Sequence, residues 1–64
     1  MKVNGKNMAL EKEQTLFDFL TSLQFDYRTI AIEHNGVIIP ETEYKKIRLS
    51  DQDILEIVHF VGGG

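Results

Sequence analysis

Leu55-Glu56-Ile57-Val58-His59-Phe60-Val61 is an apolar, β-branched run that passes without a linker into Gly62-Gly63-Gly64. Such a run, bounded by a polar turn at Ser50-Asp51-Gln52-Asp53, reads as a strand from Ile54 to Val61. Glu56 sets its parity, because a lone carboxylate is costly to bury without a partner. Leu55 and Ile57 then point into the core, while Val58 and Phe60 share the outer face with Glu56. Ile54 has outward parity as well, at the turn.

Two Asn-Gly pairs supply the neighbours. Asn4-Gly5 and Asn35-Gly36 suit tight primed turns, in which both central residues need positive φ. The first makes a short hairpin of residues 1–10, with Val3, Met8 and Leu10 pointing to a common face. The second joins Ile30-Ala31-Ile32-Glu33-His34, with Ile30 and Ile32 inward, to Val37-Ile38-Ile39. Pro40 ends that strand because it cannot donate a ladder hydrogen bond.

Between the hairpins lies one helix, Thr15 to Gln24. Thr15 caps its first turn, and Asp18 stands where a capping box carries an acid. Leu16, Phe19, Leu20 and Leu23 fall at i, i+3, i+4 and i+7 and form a single core-facing stripe. Phe17, about 100° around the helix from Leu16, covers the core's edge. Residues 11–14 and 25–29 read as connections. Residues 41–46 have no clean period and read as irregular, with room for one helical turn; Ile47 and Leu49 alternate briefly after them.

One helix covers one face of a four- or five-stranded sheet, so the fold class is α+β. Each hairpin is antiparallel. The last strand has no tight connection to its predecessor and is free to pair, in parallel and centrally, with the first. Residues 1–61 form one domain, and 62–64 a flexible tail.

At 64 residues with no cysteine, the chain has neither disulfide nor thiolate metal site to support its core. A reducing, cytoplasmic setting suits that composition. The net charge of −3 argues against nucleic acid, whose phosphates need a basic face. No apolar run approaches membrane-spanning length.

Chemistry is sparse. His34 and His59 lie on different strands and default to surface or edge positions, with no ligand cluster around them. Asp51 and Asp53 are explained by side chains bonding turn backbone, without a metal. No glycine-rich strand-to-helix loop is present to hold phosphate, and no serine or threonine has a base beside it. The chain reads as a protein that is acted on rather than as an enzyme.

What remains is the tail. Ordering three glycines costs on the order of 3–6 kcal/mol, and each hydrogen bond they make returns about 1 kcal/mol. A thread without side chains is useful where a narrow carboxylate must enter a confined active site. The exposed Val58 and Phe60 at its root supply a docking patch. Removing roughly 150 Å² of apolar surface from water contributes about 4 kcal/mol, enough to offset the ordering cost. The plainer readings are an idle tail and a patch covered by a neighbouring loop. A carboxylate becomes reactive as a mixed anhydride with AMP, from which a sulfur nucleophile can displace AMP and leave a thiocarboxylate.

The Asn-Gly hairpin at Asn4-Gly5, Thr15-Leu16 at the helix start, Asn35-Gly36, Asp51-x-Asp53 and the Val61-Gly62-Gly63-Gly64 end together resemble the ThiS family of sulfur carrier proteins. The resemblance spans essentially the whole chain. It implies the ubiquitin-like β-grasp fold, a mixed sheet with one helix across one face. It also implies that Gly64 is adenylated by an E1-like adenylyltransferase (ThiF type) using ATP, the carrier itself binding no cofactor. Sulfur originating from cysteine, through a cysteine desulfurase pathway, would then convert Gly64 to a thiocarboxylate that serves thiazole synthase (ThiG type) in thiamine biosynthesis. Gly62 and Gly63 would thread the partner's active site, and Val58, Phe60 and Val61 would dock. Gly62 is a third glycine beyond the family's minimal pair. Neighbouring alternatives are the small subunit of molybdopterin synthase, a ubiquitin-like protein modifier and a plain interaction domain.

Overall fold

The computed structural model describes residues 1–60. Its order is β1 (Lys2–Val3), β2 (Lys6–Asn7), α1 (Leu16–Ser22), β3 (Ile30–His34), β4 (Val37–Ile39) and β5 (Ile54–His59), with short 3₁₀ turns at Tyr27–Thr29 and Glu41–Glu43. The five strands form one sheet in the order β2-β1-β5-β3-β4. β5 is central, parallel to β1 and antiparallel to β3. This is the mixed sheet expected, with five strands.

Both hairpins turn at their Asn-Gly pairs. Asn4 and Gly5 have φ of 52° and 81°, and Asn35 and Gly36 have 51° and 85°, the left-handed pairs of a primed turn. The β3–β4 register follows, with Ile32 opposite Ile39, Glu33 opposite Ile38 and His34 opposite Val37.

Helix α1 begins at the expected cap. The Asp18 N–H donates to Thr15 Oγ1 at 3.1 Å, and the Thr15 N–H donates to Asp18 Oδ2 at 3.4 Å. It ends sooner than its apolar spacing predicts, at Ser22 instead of Gln24. Gln24 adopts φ 63°, its N–H donates to Thr21 O and the Phe25 N–H donates to Leu20 O. These two bonds and the left-handed residue make a Schellman cap, with glutamine where glycine is usual. Leu23 is therefore a cap residue, 41% exposed, and leaves the core stripe to which its spacing assigned it.

The core lies between α1 and the inner face of the sheet. Leu16, Phe19 and Leu20 meet Val3, Ile30, Ile32, Leu55 and Ile57, closed by Leu49 and Tyr44. Tyr44 is a finding of the structure, since its segment has no period to place it. The 3₁₀ turn ahead of it swings its ring inward until it is 3% exposed. Its carbonyl then accepts from Phe17 N–H, while that of Ile47 accepts from Leu16 N–H. Met8 and Leu10 pack partly buried against this core. Phe17 sits on its flank, half-buried beside Tyr27 and beneath Lys45 Nζ.

Candidate functional site

β5 is the last of the described strands, and its anchorage fixes how the chain is held up to Phe60. Along one side it pairs with the whole of β3, from His34 opposite Leu55 to Ile30 opposite His59. The Phe60 N–H adds a bond to Thr29 O at 2.9 Å, one residue past the strand. The expected strand runs on to Val61, which lies outside the described residues.

Along its other side β5 meets β1 only at Ile54 and Leu55, because β1 turns away at Asn4. The Asn4 side chain takes over there. Its Oδ1 accepts from the Ile57 N–H at 2.7 Å and its Nδ2 donates to Ile57 O at 3.3 Å. One carboxamide thus replaces the residue of a neighbouring strand and satisfies both backbone groups of Ile57.

The second turn asparagine bonds one backbone group at the strand's other end. Asn35 Oδ1 accepts from the Ile54 N–H at 2.8 Å, and its Nδ2 donates to Asp53 Oδ1 at 3.1 Å. Asp53 also accepts from the Ser50 N–H at 2.8 Å and lies 3.0 Å from His34 Nε2. Burial pushes the Asp53 carboxyl up, but the bonds from Asn35, His34 and the Ser50 N–H outweigh it and hold the group below its ordinary range. His34 is therefore more than an edge histidine: its side chain is mostly buried against that carboxylate. Asp53 bonds turn backbone as expected, whereas Asp51 reaches across to the distant Leu10 N–H. Among the described residues no cluster of three or more His, Cys, Asp or Glu could hold a metal ion.

The parity read from Glu56 holds through β5, with Leu55 and Ile57 buried and Ile54, Glu56 and Val58 exposed. Val58 is 59% and Phe60 56% exposed, and among the described residues no loop covers them. The face they occupy extends across β3 to Ala31 and Glu33 and on to Ile38 of β4, which is 74% exposed. Ile38 was recoverable from the sequence. Once Asn35-Gly36 is a two-residue turn, Glu33 must face Ile38, and both lie on the outer side. His59 has inward parity but is exposed, its ring 5.5 Å from that of Phe25. The expected working residues Gly62, Gly63 and Gly64, and the expected 61/62 domain boundary, lie outside the described residues.

β5 is thus a central strand held at both ends, with an open apolar face at its exit. The model of the ThiS family matches residues 1–64. The chain belongs to the ThiS family. It is 40% identical to the sulfur carrier protein ThiS of Bacillus subtilis over 65 residues, covering all of this chain and 98% of that one. It is also 37% identical over 62 residues to a thiazole synthase of Paramagnetospirillum magneticum, matching 97% of this chain but only 19% of that longer protein. A ThiS-like segment is thus fused within that enzyme, and the thiazole synthase of Magnetococcus marinus has the same arrangement. The crystal structure of a ThiS from Geobacter metallireducens shares the fold, with a TM-score of 0.84 at 24% identity, covering 98% of this chain and 96% of that one. As a member of this family the chain is a carrier protein, not an enzyme. Among the described residues no helix is long and apolar enough to cross a membrane.

Proposed function

We propose that this chain carries sulfur on the Gly64 carboxylate for the thiazole half of thiamine. The observation that bears most weight is the family match through all 64 residues, glycine end included, on a domain whose central strand exits beside a bare apolar face. In this reading an E1-like adenylyltransferase of the ThiF type transfers AMP from ATP to Gly64. Sulfur drawn from cysteine by a desulfurase pathway arrives as an enzyme persulfide, whose outer sulfur attacks the Gly64 carbonyl and expels AMP. A thiol then cleaves the resulting acyl disulfide, itself forming a disulfide, and frees the thiocarboxylate that is offered to thiazole synthase. The fused relatives support that last partner, since two thiazole synthases contain a segment resembling this chain. Gly62 and Gly63 pass through the partner's active site because a residue without Cβ fits a narrow channel. Val58, Phe60 and Val61 dock at its mouth. No cofactor is held by the carrier, and the chemistry is cytoplasmic.

Intact-mass measurement after incubation with ATP, the adenylating enzyme and a sulfur source tests this. One oxygen is replaced by sulfur, and the change maps to the C-terminal peptide. A chain lacking Gly63 and Gly64 gains no sulfur. If that shortened chain still supports thiazole formation, the reading is wrong.

A further inference from the structure

Glu33 and Glu56 stand directly opposite one another on β3 and β5. Both are exposed, and among the described residues neither is ion-paired. Like charges in opposed positions weaken a sheet, so on the free carrier this pair is a cost without a local return. Beside the two carboxylates, Ala31, Ile38 and Val58 line a shallow pit of about 100 Å³. Small-molecule sites usually measure roughly 300–1,000 Å³, so the pit is sized for one side chain.

An apolar pit rimmed by two carboxylates matches a side chain with a hydrocarbon stem and a cationic head. Arginine fits best, because its planar guanidinium presents donors on several edges and can reach both acids. A second copy of this chain fits badly: a two-fold contact through this face would bring four carboxylates together on a molecule of net charge −3.

We propose that the bare sheet face receives an arginine, set among apolar residues, from the thiazole synthase that takes the tail. Its stem lies in the pit and its guanidinium lies between Glu33 and Glu56. The inference rests on the carrier reading above, and the fused relatives are why thiazole synthase is the partner chosen. The carboxylates then trade stability of the free carrier for specificity in the complex.

The test is calorimetric titration of the full-length chain against thiazole synthase at two salt concentrations, beside thermal melts of the free chain. The double variant Glu33→Gln/Glu56→Gln binds at least about tenfold more weakly. Its affinity also depends less on salt, because the screened attraction is gone. Its Tm is equal to or above that of the parent. Equal affinity of variant and parent overturns the proposal. So does a fall in Tm that accompanies the loss of binding, which would make the two acids structural. A parent chain that acquires sulfur yet does not bind thiazole synthase overturns the proposal and the choice of acceptor, and leaves sulfur carriage on Gly64 standing. A parent chain that acquires no sulfur removes both.

Discussion

Three side chains do more here than their local roles suggest. Asn4 and Asn35 shape their turns through positive φ, and each also bonds the backbone of β5. The two roles are separable. Asn4→Gly keeps a residue that adopts φ 52° freely but leaves the Ile57 N–H and C=O without their partner, at a cost of about 1–3 kcal/mol in urea unfolding. An unchanged midpoint would mean that the turn alone matters. Asp53 is the third. Its carboxyl is held below the ordinary value of 3.8 by neighbours that outweigh its burial. A carboxyl depressed in the folded state contributes stability that is fully present above its unfolded pKa and is lost as pH falls through the folded one. The contribution of Asp53 to the urea midpoint should therefore be fully present above about pH 5 and fall away below about 4. Asp53→Asn lowers the neutral-pH midpoint and flattens the acid drop.

The elements differ in how openly the sequence declares them. The hairpins, the Thr15–Asp18 cap and the inward parity of Leu55 and Ile57 are legible because each rests on a local rule: turn chemistry, capping or alternation. The parallel placement of β5 beside β1 follows from the absence of a short connection. The helix end is a different case. Leu23 fits the apolar spacing but not the backbone, because left-handed Gln24 stops α1 one residue earlier, and a glutamine gives no warning of that. Tyr44 and the His34–Asp53 pair were hidden for a related reason. Both depend on segments distant in sequence meeting in space, which no local period encodes. The cap is directly testable. Gln24→Gly removes the Cβ from a left-handed residue and should stabilise the domain by roughly 0.5–1 kcal/mol, raising Tm by several degrees. In the other direction, Leu20→Ala, at a site 1% exposed, should cost about 2–5 kcal/mol. That is a large share of the roughly 3–10 kcal/mol available to a chain of this length, so the variant should melt near ambient temperature.

At the scale of the molecule, among the described residues a single helix covers one face of the sheet and the other is left bare. Val58→Asp or Phe60→Asp changes an exposed side chain and should shift Tm little, yet weaken binding to the proposed partner enzymes about tenfold; retained affinity would move the proposed docking face elsewhere. The candidate site was legible to the extent that β5 alone defines it: Val58 and Phe60 follow from one parity argument. The breadth of the face was not, because Ala31, Glu33 and Ile38 join it only through the register of three strands. The position of β5 between two neighbours has a mechanical corollary. Tension applied at Phe60 along the axis of this strand loads the bonds to β3, to β1 and to the Asn4 carboxamide together in shear. None can be peeled away singly, so a pull at the strand's exit is resisted by the sheet as a whole.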